Sequence, residues 1–380
     1  MTPALVADTS YSVRDAAGGR WPAPDGIPYL RFGRRELADA ALARLDAGDR
    51  EGALVLLLAD QDDWWCGPPA APAALRELVR NAAALSLRDA MRLLAWGPVA
   101  DYFAHRWSDP TFLAGLALVE AHWTAPQRAF ELACGIGHHL RELSRHGVAV
   151  TGTDVVFAKL WVARHWVLPQ AAGVGVPEAR LLCLDAAQPW PFDERFELVV
   201  CHDAFYFLEP KPQILAWLRG LREPRLGLLA IGHVHNSEWD NFSAGAAISA
   251  DVLAAMFPEA LLYDDAELTR ALAESRAPSA ASAAALRQAE AFAAVEGPGL
   301  RPAQAVTGLL ALPQAGARLR RNPLYAADGN IAWPSERYGR EYGPRMTYPA
   351  SSTAPDRSIL DSTTVEAARC RELVDLPESW

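Results

Sequence analysis

The sequence predicts an α/β protein: a doubly wound, mostly parallel sheet with helices on both faces, preceded by a helical section and followed by a C-terminal extension. Three observations carry this expectation. From Pro126 to about Asp265 short apolar runs alternate with runs of helical period, as strands joined by crossover helices do. The preceding stretch, Arg34 to Trp123, is helical in period throughout, and between the two regions the pattern changes abruptly. The stretch "ELACGIGHH", residues 131–139, marks a seam where a strand gives way to a helix through a glycine turn.

In chain order, residues 1–33 read as short β-prone pieces split by turn signals at Gly18-Gly19 and "PAPDG", a small hairpin-like N-terminal unit. Residues 34–125 form a helical front section: "RRELADAALARLDAGD", "PAALRELVRNAAALSLRDAMRLLAW" and "DPTFLAGLALVEAHW". In the last of these Asp109 precedes Pro110 as an N-cap. The core, 126–265, reads as strand "RAFELA", helix "HLRELSRHG" ending at Gly147, strand "VAVTGTD", helix "FAKLWVARHWVL" and strand "ARLLCLDA". It continues as "FELVVCHDAFYFL", a strand running into a helix, and strand "LGLLAIGHVHN". Residues 266–380 begin as an Ala-rich helical piece to about Glu296 and end as a loop-rich tail. No repeat of solenoid period is visible.

Bulk properties exclude several function classes. The 380 residues carry a formal net charge of −10, which repels phosphate backbones, so no nucleic acid is expected as partner. The longest apolar run, "ALVLLLA" at 53–59, falls far short of the roughly 18 to 20 residues that span a bilayer, so no membrane is expected either. Cys66, Cys134, Cys183, Cys201 and Cys370 show no paired spacing, and the N-terminus lacks a basic-then-apolar leader. A cytoplasmic location is the expectation.

The glycine turn narrows the ligand. It holds Gly135 and Gly137 but has Leu140 where a dinucleotide turn places its third glycine, and it lacks the Lys-Ser or Lys-Thr pair of a P-loop. In an open parallel sheet, ligands sit beyond the carboxyl ends of the strands. Four successive strands deliver Glu131, Asp154, Asp185 and the pair His202-Asp203 to that edge. Three acidic residues there repel phosphates and suit an amine and a ribose diol, the outline of S-adenosylmethionine. As simpler readings, Glu131 and Asp154 are helix caps and Asp185 is a turn residue before Pro189.

These residues resemble the class I S-adenosylmethionine-dependent methyltransferases. Glu131-Leu132-Ala133-Cys134-Gly135-Ile136-Gly137 is similar to the family's first motif, E/D-x-G-x-G-x-G, with Ala133 in place of the first glycine. The resemblance spans about residues 126–262. It implies a Rossmann-like seven-stranded sheet with an N-terminal helical lid. S-adenosylmethionine is the implied cofactor and S-adenosylhomocysteine the product. Asp154 would accept from the ribose hydroxyls, Asp185 would hold the adenine amino group with Ala186 offering backbone, and "FELVVCHDAFYFLEP" would face the methionine end. The cofactor-binding set so implied is Glu131, Ala133, Cys134, Gly135, Gly137, Asp154, Val155, Asp185, Ala186 and His202.

Methyl transfer requires positioning and, for hydroxyl or ammonium acceptors, a general base. His202, His235 and Asp203 are the candidates. His233 and His235 in "GHVHN" lie on one strand face by alternation and have half the makings of a metal site. With no Cys or carboxylate at a diagnostic spacing, no metal is expected. "NPLY" at 322–325 is read as a turn. Met91 to Trp123, with Trp96, Tyr102, Phe103 and Trp107, fits a lid over an apolar or planar acceptor, with ordinary core packing as the simpler reading. "DGIPYL" at 25–30 resembles a small zinc-ribbon module that precedes some bacterial methyltransferases; its cysteines are absent, so a metal-free remnant is expected. The leading expectation is a methyltransferase acting on a small-molecule acceptor, with a homodimer compatible with the sequence. The alternatives are a non-catalytic S-adenosylmethionine-binding partner protein and, on the same sheet, a nicotinamide-dependent oxidoreductase.

Overall fold

The computed structural model describes residues 5–169, 177–241 and 245–380. At the N-terminus β1 (Val6–Thr9), β2 (Ser12–Arg14) and β3 (Arg20–Pro22) form an antiparallel meander, and β4 follows at Tyr29–Leu30. Six helices come next: α1 (Arg35–Asp46), α2 (Arg50–Leu58), α3 (Pro72–Asn81), α4 (Leu87–Leu93), α5 (Pro98–His105) and α6 (Pro110–Ala121). Their starts follow local chemistry. Asp49 Oδ1 accepts from Gly52 N at 2.8 Å and Ser86 Oγ from Asp89 N at 3.1 Å. Asp109 Oδ1 accepts from Thr111 N at 2.7 Å, so the expected Asp-Pro start of α6 is present.

The alternating region gives β5 (Arg128–Leu132), α7 (His138–Arg145), β6 (Ala149–Asp154), α8 (Phe157–Val162), β7 (Arg180–Leu184) and β8 (Leu198–His202). After it come α9 (Lys211–Leu221), β9 (Leu228–His235), α10 (Ala250–Met256), β10 (Leu261–Asp264), α11 (Asp265–Ala273), α12 (Ala283–Leu286) and β11 (Ala291–Glu296). The tail contributes β12 (Arg318–Arg321), α13 (Glu336–Tyr342), β13 (Arg357–Ile359), α14 (Val365–Arg369) and β14 (Leu373–Val374), its strands forming a small sheet in the order β13-β12-β14.

The main sheet runs β10-β11-β9-β8-β5-β6-β7-β4. All its pairs are parallel except those made by β11, which is antiparallel to both neighbours. Strand order reverses between β5 and β8, which places the ligand crevice there.

Three details depart from the sequence reading. The sheet has eight strands, not seven, because β4 pairs with the outer edge of β7, with Cys183 N donating to Pro28 O at 2.8 Å. Two residues are too few to show a strand period, yet Tyr29 and Leu30 are buried and cover an edge that would otherwise be open. The Ala-rich stretch expected to be helical to Glu296 instead ends in β11, whose six residues are all buried between β9 and β10. Sheet packing there overrides the helix preference of alanine. "FYFL" after β8 makes only a short 3₁₀ turn, and the helix begins at Lys211. "NPLY" is a turn, as expected, with Tyr325 N donating to Asn322 O at 3.0 Å.

Helix α6 is buried along its whole length and packs on α11 and β9, so this part of the front section is core, not lid. Its Glu120 anchors the tail: the buried carboxylate accepts from Thr307 N at 2.6 Å, Gly308 N at 2.9 Å and Leu310 N at 3.1 Å. Hydrogen bonds to a charged group contribute about 1.5–3 kcal/mol each, and unmaking them leaves buried donors unpaired. Glu120→Ala is therefore expected to strip hydrogen-exchange protection from the amides of Thr307, Gly308 and Leu310 while the sheet amides keep theirs. Unchanged protection at those three amides would contradict this anchoring role.

Candidate functional site

The seam between β5 and α7 is a left-handed turn. Ala133, Gly135 and Gly137 take φ of 57°, 56° and 84°, so the alanine replacing the first glycine adopts a backbone that favours glycine. Two bonds hold the turn, Cys134 N to Thr153 O at 2.8 Å and Gly137 N to Cys134 O at 2.9 Å. A third comes from Asp154 at the end of β6, whose Oδ2 accepts from Gly135 N at 3.0 Å. Asp154 Oδ1 accepts from Val156 N at 2.9 Å and lies 3.5 Å from Lys159 Nζ. Burial opposes the Lys159 charge, but Asp154 and Asp62 outweigh it and raise its pKa. Burial pushes the Cys134 thiol well above its ordinary value, so this cysteine lines the turn as a neutral group.

A cavity of about 450 Å³ opens beside this turn, within the usual size of small-ligand sites. Its wall includes Glu131, Ala133, Cys134, Gly135, Asp154, Val155, Asp185, Ala186, His202 and Asp203, so the predicted residues converge on one space apart from Gly137 and His235. Gly137 sits one step beyond, as the N-cap of α7. Glu131 is buried, with Oε1 3.3 Å from His139 Nδ1 and, among the described residues, no partner for Oε2. Asp185 Oδ1 accepts from Ala187 N at 2.9 Å, and Ala186 O accepts from Trp190 Nε1 at 3.1 Å.

The far wall is built on Asp203, which follows β8 with φ 54°. Its Oδ2 accepts from Tyr102 Oη at 2.7 Å and faces Arg106 Nη2 at 3.0 Å, while Oδ1 accepts from Tyr206 Oη at 2.8 Å. Burial would raise the Asp203 pKa, but Arg106, followed by His233, holds it below the ordinary carboxylate range. Arg106 is also buried; burial disfavours its charge, yet Tyr102, Asp203 and Asp109 keep it firmly protonated.

The three histidines differ sharply. His202 Nε2 lies 2.8 Å from Thr111 O on α6, and burial, then His139 and Arg106, keep the ring neutral. Its ring packs against Gly115 and Gly232, where an added Cβ would stand 2.8 and 2.3 Å from Nδ1. His233 sits at a bulge of β9 with φ 50°, and its Nδ1 lies 2.8 Å from Asp265 Oδ2. Burial disfavours its charge, but Asp265 and Asp203 raise its pKa overall. His235 packs its ring 4.4 Å from that of Tyr206 and 4.8 Å from that of His233. Burial and then His233 push its pKa down to about 4.

The sequence reading missed several wall residues. Arg106 sits within the front section without a sequence signal. Ser335, Arg337, Tyr338, Glu341 and Tyr342 come from α13 and its N-cap, more than a hundred residues beyond β8, where no local pattern could place them. Of the aromatics proposed for a lid, Tyr102 and Phe103 line the cavity, whereas Trp96 and Trp107 are buried and absent from its wall.

Residues 129–224 match the model of a methyltransferase domain. No curated protein matches the sequence. Among solved structures the chain is similar to the plantazolicin methyltransferase BpumL in complex with SAH, at 14% identity over 42% of this chain, with a TM-score of 0.29. The match covers 61% of that chain, about three fifths of its length. It is also similar to the N-methyltransferase NodS from Bradyrhizobium japonicum WM9 in complex with S-adenosyl-l-homocysteine, at 19% identity over 49% of this chain and 83% of that one, TM-score 0.33. A third is a TehB-like SAM-dependent methyltransferase from Corynebacterium glutamicum, at 19% identity over 48% and 86%, TM-score 0.34.

The turn itself can be tested. A Cβ on Gly135 would stand 3.2 Å from the Phe103 ring at a φ of 56°, and left-handed backbone costs a non-glycine residue roughly 1–2 kcal/mol. Gly135→Ala is expected to lower unfolding stability by about that amount in a urea titration. An unchanged midpoint would show that the turn is not held in this conformation.

Proposed function

We propose that this chain, whose residues 129–224 match a methyltransferase domain, uses S-adenosylmethionine to methylate a small-molecule acceptor held between that domain, α5 and α13. The observation that carries the reading is the buried Glu131 Oε2, which lacks a partner among the described residues at the edge of the glycine turn. A buried carboxylate oxygen left unpaired is costly, and an ammonium group there satisfies it. Asp154 fits a diol: each of its oxygens takes one backbone N–H, and Oδ2 keeps a second lone pair for a hydroxyl while Oδ1 is shared with Lys159 Nζ at 3.5 Å. Asp185 is only part-buried and keeps Oδ2 for an amino group.

When bound, S-adenosylmethionine supplies a sulfonium methyl for in-line displacement, and the chain's own work is to position the acceptor and take its proton. Tyr338 and Tyr342 are buried in the cavity wall opposite the strand ends, and such rings grip an apolar or planar acceptor. Of the three candidate bases, Asp203 is the one we assign. The acceptor gives its proton to Tyr102 Oη as the Tyr102 proton moves to Asp203 Oδ2, 2.7 Å away. A weak base suffices, because the acceptor O–H or N–H turns acidic only as its bond to the methyl carbon forms. His202 orients this wall through its bond to Thr111 O.

Calorimetric titration with S-adenosylmethionine, S-adenosylhomocysteine and NADH tests the reading. The first two are expected to bind and NADH not. Glu131→Ala and Asp154→Ala are each expected to weaken binding by at least about tenfold, as loss of a charge-assisted hydrogen bond does. Unchanged affinity in both variants would overturn it. Asp203→Asn is expected to retain cofactor affinity and to lose about 10²-fold or more in methyl transfer to a metabolite extract. Binding by the unmodified chain with no turnover of any acceptor would instead mark a non-catalytic binding protein.

A further inference from the structure

Behind the cavity wall, Asp203, His233 and His235 each present a ligand atom, all within 4.8 Å of one another. They come from two neighbouring strand ends, β8 and β9, so sequence spacing conceals the carboxylate that completes the pair of histidines. From this cluster we propose a divalent transition-metal site of the zinc class, ligated by Asp203 Oδ1, His233 Nε2 and a ring nitrogen of His235.

Three features of the cluster support it. His233 Nδ1 lies 2.8 Å from Asp265 Oδ2, so that nitrogen carries the proton in the neutral ring and leaves Nε2 to a metal; a carboxylate behind a histidine is the usual second partner of a metal-binding imidazole. His233 Nε2 stands 3.9 Å from Asp203 Oδ1, which also accepts from Tyr206 Oη at 2.8 Å, so a cation between them would take the place of a proton on Nε2. The His235 ring is only 4% exposed, and neither of its nitrogens has a partner among the described residues.

A two-histidine, one-carboxylate set is a transition-metal donor set rather than one for calcium or magnesium. In tetrahedral coordination, metal–ligand bonds of about 2.0–2.2 Å put ligand atoms ~3.4 Å apart, so closing the cluster asks its most distant pair to approach by no more than ~1.4 Å. Two guanidinium groups set a limit on affinity: Arg106 stands 3.0 Å from Asp203 Oδ2 and Arg345 3.6 Å from Asp265 Oδ2. Because Asp203 also borders the cavity, an open coordination position would face the acceptor side, as it does in three-ligand catalytic sites.

The inference goes beyond the methyl-transfer reading and is tested without any cofactor in the buffer, so the two stand or fall separately. Full-length chain freed of metal by a chelator is titrated with Zn²⁺ against a chromophoric indicator and, in a second sample, with Co²⁺ while its visible absorption is recorded. Expected are about one Zn²⁺ per chain and a Co²⁺ spectrum of nitrogen–oxygen ligation. His235→Ala and Asp203→Asn are expected to lose at least ~10-fold in affinity, with a loss of similar size in Asp265→Asn, which touches only the other His233 nitrogen. His146→Ala, outside the cluster, should bind as the unmodified chain does. Sub-stoichiometric zinc in the unmodified chain, or equal affinity in the folded His235→Ala and Asp203→Asn variants, would overturn the proposal. The Co²⁺ spectrum of the unmodified chain decides the matter even if a variant fails to fold.

Discussion

The carboxylate of Asp154 ties together the two strand ends that frame the site. One of its oxygens takes the amide of Gly135 and the other that of Val156, so the glycine turn after β5 and the start of the helix after β6 share one anion. The turn needs that support. It runs through alternate left-handed residues, one of them Ala133, and such backbone persists only where its surroundings over-determine it. Parallel pairing of β5 with β6 sets the two ends side by side, with Glu131 opposite Gly152. Gly152 has no side chain for a plain reason: a Cβ there would stand 2.3 Å from Leu140 and 2.8 Å from Cys134.

At the opposite end of the cavity the governing term is charge. Arg106 is buried among Asp109, Asp203 and the ring of Tyr102, 4.6 Å from its centroid. Breaking such a set by removing one member leaves an uncompensated buried charge, so the front section and the strand end are locked to each other. Helix α6 reinforces the lock by offering the Thr111 carbonyl to His202 and the Thr111 hydroxyl to Arg106. The helices ahead of the sheet are thus part of the site's foundation. The tail completes it from the other side, since α13 closes the wall and Glu120 of α6 holds the stretch that leads there.

Much of this was legible in sequence, for identifiable reasons. Buried parallel strands are short apolar runs, and the residue ending each run falls at the ligand edge whatever the rest of the chain does. Glu131, Asp154, Asp185, His202 and Asp203 could therefore be placed at that edge from sequence alone. What was illegible depended on partners distant in the chain. The strand at Tyr29–Leu30 exists because β7 offers an edge. The alanines of β11 lie in a strand because β9 and β10 pair with it on both sides and bury all six of its residues. Arg106 and α13 reach the cavity through packing that carries no local period. The two histidines of "GHVHN" were visible, but Asp203 joins them only through the parallel register of β8 and β9, His202 opposite Gly232.

The proposed function requires the carboxylates at consecutive strand ends to surround a sulfonium nucleoside. A crystal structure of the chain grown with S-adenosylhomocysteine tests this most directly. Ribose hydroxyls are expected within hydrogen-bond reach of Asp154, and the amino acid ammonium against Glu131. A nucleoside bound elsewhere, or one whose ribose turns away from Asp154, would contradict it.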